Sequence, residues 1–131
     1  MDKKLSSIVI IPLMLLLLTL LFVSCGGNTS QDKVAIEQVI RGYVSSYNAS
    51  NFEDTLACFT GYDDYQDALA YLVFLRSLSG EITLVNFDAA SISVTGNTAR
   101  VPVDFIIMNE LSSQWINLEK VNGNWKILWE Q

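Results

Sequence analysis

The chain has 131 residues, half of them hydrophobic, and it carries 14 acidic against 8 basic residues, a formal net charge of −6. This acidic balance disfavours nucleic acid and anionic lipid head groups as partners. There is no histidine, so the commonest general base and the commonest zinc ligand are both missing. We expect no metal site and no cofactor.

The first 24 residues have the features of a targeting segment. Lys3 and Lys4 precede an apolar run from Ile8 to Val23, and the small-residue sequence FVSCGG follows, with its cysteine at Cys25. The stretch resembles a bacterial lipoprotein signal peptide. This resemblance implies cleavage before Cys25 and acylation of its thiol, with palmitate among the acyl groups. An uncleaved N-terminal anchor is the alternative. In both cases the remaining chain is displayed outside the cytoplasm, at the cell envelope.

Three segments follow from this interpretation: a signal peptide (1–24), a lipidated tether (25–30) and a single domain (31–131). The domain is long enough for one small hydrophobic core. With Cys25 acylated, Cys58 has no partner for a disulfide. Its apolar neighbours predict a buried structural thiol.

The first part of the domain predicts three helices. Thr29-x-x-Asp32 resembles a capping box and predicts the start of the first helix. Its apolar stripe has helical spacing. The members of the stripe are Ile36, Ile40, Tyr43 and Tyr47.

Two further helix starts are predicted by capping residues. The motif SNFE at 50–53 is a capping box and predicts a short helix through Phe59. The acidic pair at 63–64 predicts a third helix that ends at Ser79, with Gly80 as its C-cap. Because this third helix is apolar on almost every side, we expect it to be the most buried of the three.

The rest of the chain predicts four antiparallel strands in a meander. The first strand extends from about Ile82 to Val94, and Gly96-Asn97 suits a type II′ turn that sets Val94 opposite Ala99. Later, Asn122-Gly123 is the strongest short hairpin signal, because a type I′ turn needs positive φ at both central residues. The pairs it predicts are Val121 with Asn124, Leu118 with Ile127 and Ile116 with Trp129.

A loop at 110–113 is predicted between the second and third of the four strands. It sets Ile107 opposite Ile116 and Phe105 opposite Leu118. Since side chains alternate along strands, these strands share one apolar face. Its members are Val103, Phe105, Ile107, Ile116, Leu118, Trp125, Ile127 and Trp129.

Three stretches carry a resemblance to a known superfamily: YVSSYNASNFEDTLACF in the helical part, and VTGNTARVPVDF and NGNWKILWE in the sheet. They resemble the nuclear-transport-factor-two-like, cystatin-like superfamily of cone-shaped α+β domains. The resemblance implies three N-terminal helices packed on one face of a curved four-stranded antiparallel sheet. Members include isomerases, dehydratases, ligand carriers and non-enzymatic modules, so the fold alone does not define the function.

The ketosteroid isomerases of this superfamily are the sharpest enzymatic comparison. Tyr43 occupies the position of their oxyanion-hole tyrosine, and Asn117 matches the position of their second oxyanion donor. The expected face of Asn117 is the outer one, and the segment TGYDDYQDAL offers no counterpart of their catalytic base. We therefore expect no catalytic residue, and we interpret Tyr43 as a buried tyrosine whose hydroxyl is hydrogen bonded.

Two groups of residues are candidates for binding. Between the helices and the sheet, one group lines a pocket or fills it: Tyr43, Tyr47, Tyr65, Phe105 and Trp129. On the outer face of the sheet, a second group forms an apolar surface for a homodimer or an envelope protein partner: Phe87, Ile106, Met108, Trp115 and Leu128. A sheet bend or the tether is the alternative cover for this surface.

The preferred function is therefore a membrane-tethered, non-catalytic domain that binds a protein partner or a small apolar ligand. The alternative is a small isomerase-like or dehydratase-like enzyme that acts on an apolar substrate in the cone.

Overall fold

The computed structural model describes residues 29–130. The predicted signal peptide, Cys25 and residues 26–28 of the tether lie outside them. Within the described part no helix is both long and apolar enough to cross a membrane. The helices are α1 (Thr29–Asn48), α2 (Phe52–Ala57) and α3 (Tyr65–Ser79). The strands are β1 (Phe59–Thr60), β2 (Ile82–Phe87), β3 (Ser93–Thr95), β4 (Thr98–Ile107), β5 (Glu110–Val121) and β6 (Asn124–Leu128).

Helices α1 and α2 differ from the prediction at their ends. Helix α1 already begins at Thr29, so Thr29 and Ser30, predicted as tether, are helical. Ser50, the predicted cap of α2, instead terminates α1 with φ 58° and a backbone bond to Tyr47. Asn51 caps α2, because its side-chain oxygen accepts from the backbone N–H of Asp54 at 3.3 Å.

The bounds predicted for α3 are confirmed. Asp64 is its N-cap, and the carboxylate accepts from the backbone N–H groups of Gln66 and Asp67 at 2.8 and 3.0 Å. The helix ends at Ser79, and Gly80 follows with φ 68°, a conformation that glycine adopts without steric cost.

The sheet has six strands instead of four, in the order β1-β6-β5-β4-β2, with β3 also paired to β4. The predicted first strand is divided into β2 and β3 by a 3₁₀ turn at Ala89–Ser91, which the side chain of Asp88 caps. Strand β1, predicted as the end of the second helix, pairs parallel with β6. The sheet is therefore mixed, and the prediction of purely antiparallel strands was wrong.

The β5–β6 hairpin is confirmed in turn and register. Asn122 and Gly123 have φ 51° and 81°, as a type I′ turn requires. Leu118 pairs with Ile127, three positions from the turn. The ladder stops there, so the predicted pair of Ile116 with Trp129 is not formed.

The β4–β5 register differs from the prediction by six residues. The turn is Met108-Asn109, with φ 55° and 64°, and Ile107 pairs with Glu110 instead of Ile116. Methionine rarely adopts positive φ, whereas the polar residues after it resemble a loop. Because six is an even number, the same side chains still face the core.

Helix α1, not α3, is the most buried helix. Its residues Ile36 and Ile40 are fully buried against the sheet. Helix α3 buries Ala68 and Leu72 in a second cluster of the core. Its other apolar side chains remain about half exposed, because only one side of α3 meets another element. They are Val73, Phe74 and Leu78, at 49%, 56% and 59% exposure.

Candidate functional site

A cavity of about 440 Å³ lies between the helices and the sheet. Of the five predicted pocket residues, Tyr43, Tyr47, Phe105 and Trp129 line it. Tyr65 does not. It lies in the first turn of α3, where it is exposed and its ring is 6.4 Å from that of Tyr62.

Aromatic rings form one wall of the cavity. The Phe59 ring stands edge-to-face with Tyr43 at 5.1 Å and with Trp129 at 5.3 Å between centroids. Sequence reasoning missed Phe59, because two residues of strand are too short to show an alternating pattern. Its position depends on the parallel pairing of β1 with β6, in which Phe59 lies opposite Ile127.

The two tyrosines of the cavity have different polar surroundings. The Tyr47 hydroxyl is hydrogen bonded to Ser79 Oγ at 3.0 Å. The Tyr43 hydroxyl makes no hydrogen bond to any described residue. Burial raises the pKa of Tyr43 to about 12, and the hydroxyl is therefore a neutral group at ordinary pH.

Trp129 is held at the end of β6 by backbone and ring contacts. Its backbone N–H donates to the carbonyl of Thr60 at 2.8 Å. Its indole Nε1 is buried and has no hydrogen-bond partner among the described residues. The rings of Tyr62 and Tyr71 meet the indole at steep angles, with centroids 6.1 and 5.7 Å away.

Asn117 and Glu130 close one side of the cavity. The Asn117 side-chain Nδ2 donates to Glu130 Oε1 at 2.7 Å, and both residues are among those that line the cavity. Glu130 is exposed, and no carboxylate is hydrogen bonded to Tyr43. Among the described residues no group of three metal-ligating side chains is found.

On the outer face of the sheet, three of the five predicted residues are exposed: Ile106 at 37%, Met108 at 66% and Trp115 at 55%. Leu111 pairs with Ile106 and joins them at 66% exposure; it was missed because it was predicted as loop. The Arg100 guanidinium stacks over Trp115 at 4.2 Å from the ring centroid. We call Ile106, Met108, Leu111 and Trp115 the outer patch.

Phe87 and Leu128 do not belong to the outer patch. A β-bulge between Leu84 and Asn86 shifts the alternation of β2, so Phe87 pairs with Val103 and packs on the core. Leu128 is half-buried and lines the cavity. The bulge in β2 adds one residue to that strand, so the side chains after it, including that of Phe87, point to the opposite face of the sheet.

Cys58 is a free, half-buried cysteine that follows α2. Its Sγ is 3.5 Å from the carbonyl oxygen of Asp54, and burial raises the pKa of the thiol. A raised thiol pKa lowers the fraction of reactive thiolate. Both observations agree with a structural thiol.

The fold and its cavity define a class: an α+β cone, with three helices packed against a curved, open sheet. Among solved structures, 32 chains match this one. One is an NTF-2 like protein of unknown function from Shewanella oneidensis MR-1, with 12% identity, a TM-score of 0.52, and 74% of this chain and 95% of that chain covered. Another, named as a substituted Rd1NTF2_05 variant, has 10% identity and a TM-score of 0.53, with 70% and 90% covered.

The chain therefore has the NTF-2-like fold. No family model and no curated protein matches the sequence. The fold has members that bind ligands and members that are enzymes, so the function must be argued from the site.

Proposed function

We propose that this domain is a non-catalytic binding module whose cavity takes up a small apolar group. The observation that carries this proposal is the cavity itself, about 440 Å³ of space lined mainly by aromatic and aliphatic side chains. Small-molecule sites are typically concave, mostly apolar and in this range of volume. An enzyme would in addition need a base that acts with Tyr43; the chain has no histidine, and no carboxylate of the described residues is hydrogen bonded to the Tyr43 hydroxyl.

Binding of p-xylene to the full-length chain in lipid nanodiscs tests this proposal. Methyl NMR resonances of Ile116 and Ile127, which border the cavity, should shift on titration, while those of exposed Val34 should not. Leu75→Trp replaces an aliphatic side chain of the cavity wall with a bulky indole ring, which should fill the space and abolish the shifts. The proposal fails if saturating p-xylene leaves both isoleucines unchanged.

The free hydroxyl of Tyr43 is the observation that favours the enzymatic alternative. Isomerases and dehydratases need a donor to stabilise developing oxyanion charge. In that alternative Glu130, the carboxylate at the cavity edge, is the candidate base. Turnover of an apolar ketone substrate that both Tyr43→Phe and Glu130→Gln abolish would replace the binding proposal.

We also propose that Cys25 carries the lipid anchor of the mature protein. The sequence FVSCGG after an apolar run supports this proposal. Cys25→Ser should release the protein from the membrane fraction or block its processing. Unchanged mass and unchanged membrane retention would contradict the anchor.

The outer patch supports a second binding role, pairing with another copy of this chain. Monomeric proteins rarely leave a contiguous apolar surface of this kind uncovered on a sheet. Replacing Ile106 with Thr and Trp115 with Gln should weaken self-association in sedimentation experiments. Replacing Val73 and Phe74 of α3 with the same residues is the control. Sedimentation as a monomer at every concentration would contradict self-pairing.

A further inference from the structure

The edge of β5 that faces β6 is only partly covered. Strand β5 extends from Glu110 to Val121, but β6 pairs only with Leu118 to Val121. The first eight residues of β5 therefore have β4 on one side and no strand of the described chain on the other. Residues 114–117 of this uncovered part also line the cavity.

The register shows which backbone groups point to the uncovered side. Lys120 N–H donates to the carbonyl of Asn97, at the β4 side, at 2.8 Å. Backbone groups alternate along a strand, so those of Ser113 and Trp115 point away from β4. Neither residue makes a backbone hydrogen bond to another described residue on that side, and both residues are exposed. Two N–H and two C=O groups are thus open beside the cavity.

These open groups restrict the chemistry of the occupant. A purely apolar molecule that extended from the cavity over this edge would remove the four groups from water without hydrogen bonding them, which is unfavourable. An extended peptide would pair with them as an added strand, and its alternate side chains would point into the cavity. Glu110 and Glu130 flank the edge, and the described residues carry 13 acidic against 6 basic side chains. A basic peptide is therefore favoured.

We propose that an extended peptide with basic ends adds to the free edge of β5, and that one of its apolar side chains occupies the cavity. This proposal rests on the proposed binding function, because it names the molecule to which the apolar group belongs. The hydrogen-bonding edge recognises the peptide backbone, and the aromatic cavity selects the side chain.

The test uses the peptide acetyl-Lys-Thr-Val-Thr-Phe-Thr-Val-Lys-amide with the full-length chain in nanodiscs. Amide hydrogen exchange of Ser113 and Trp115 should slow by about tenfold or more when the peptide is bound. Exchange at Val85 on β2, which lies away from this edge, is the control. A peptide with glutamates in place of the lysines should bind more weakly at low salt.

Two N-methylated peptides separate strand addition from simple side-chain binding. One carries the methyl groups on alternate residues, and the other carries them on the intervening residues, so each blocks one edge of the peptide. Strand addition requires that one of them loses binding and that the other retains it. Equal binding of both would overturn the proposal, since the side chains are the same.

A tethered form excludes weak affinity as an explanation for a negative result. The same eight residues are attached after Gln131 through a short Gly-Ser linker, which raises the effective concentration to about millimolar. If the amides of Ser113 and Trp115 remain unprotected in this protein while p-xylene still shifts the Ile116 methyl group, strand addition is wrong and apolar binding stands. If p-xylene also has no effect, the proposed function itself is wrong.

Discussion

At the scale of single residues, the hydroxyl of Tyr43 is the most informative group in the molecule. Helix α1 places the ring beside Phe59, and no side chain or carbonyl of the described residues accepts the proton of the hydroxyl. Tyr47, one turn later on the same helix, has the hydroxyl of Ser79 as a partner. The Tyr43 hydroxyl lines the cavity and is therefore available to hydrogen bond water or a bound molecule.

Tyr43→Phe and Tyr47→Phe form a matched pair of substitutions. Tyr43→Phe should change the free energy of unfolding by less than about 0.5 kcal/mol, because no hydrogen bond is lost. Tyr47→Phe should cost about 1 kcal/mol, because it leaves Ser79 without this partner. Urea unfolding measures both values. Equal costs would show that Tyr43 has a partner in solution.

Asp32 is a second residue with a defined electrostatic role. Its Oδ1 accepts from Lys120 Nζ at 2.8 Å and from Trp125 Nε1 at 2.9 Å, which joins the start of α1 to the β5–β6 hairpin. The hydrogen bonds from Lys120 and Trp125 lower the pKa of Asp32 below its ordinary value of 3.8. The carboxylate is therefore more acidic in the folded chain than in the unfolded chain.

Because the pKa of Asp32 is lower in the folded chain, the direction in which pH changes the free energy of unfolding can be predicted. The stabilisation is fully present above the unfolded pKa of 3.8 and is lost as the pH falls through the lower folded value. Asp32→Asn should cost about 1–2 kcal/mol at neutral pH, since hydrogen bonds to a charged group are lost. The difference from the natural chain should shrink below about pH 4 in urea unfolding. Asp67→Asn, at an exposed site, is the control substitution.

At the scale of elements, local signals defined the ends of α3 but not its environment. Asp64 satisfies two N–H groups of the first turn, which is an interaction within four residues. The burial of the helix depends on distant elements. Residues such as Phe74 and Leu78 are as apolar as those of α1, and yet no described element covers them.

The cap of α3 can be tested against its neighbour in the sequence. Asp64→Ala should cost about 1 kcal/mol, because both N–H groups of the first turn lose their acceptor. Asp63→Ala should cost less than about 0.5 kcal/mol, since its side chain caps nothing. Thermal unfolding monitored by circular dichroism compares the two. Similar losses for both variants would contradict the assignment of Asp64 as the cap.

At the scale of the whole molecule, α1 and the curved sheet enclose the core, and the sheet has two distinct faces. Leu118 on β5 is fully buried, whereas Leu111, seven residues earlier on the same strand, is 66% exposed. An odd separation places the two leucines on opposite faces of the strand. The same alternation puts the outer patch on the outer face of the sheet, where Trp115 also borders the cavity at the uncovered edge of β5.

Leu118→Ala and Leu111→Ala test this division of faces. Leu118→Ala should reduce the free energy of unfolding by about 2–5 kcal/mol, because it leaves a cavity in the core. Leu111→Ala should change it by less than about 0.5 kcal/mol. Urea unfolding gives both values. Comparable losses would mean that the outer patch is covered in the isolated protein.

The sequence alone determined the features that depend on near neighbours. The Asn122-Gly123 turn was predictable because few residues tolerate positive φ at two successive positions. The faces of β4 and β5 were predictable because alternation is a property of each strand. They stayed correct despite a six-residue error in register, since an even shift preserves parity.

Only the tertiary structure decided the features that depend on distant pairings. Strand β1 exists because β6 lies beside it, and two residues carry no pattern of their own. The bulge in β2 turned Phe87 inward by adding one residue. The free edge of β5 arises because β6 pairs with only part of that longer strand. All of these features depend on how segments far apart in the chain are placed next to one another, and local propensity does not encode that placement.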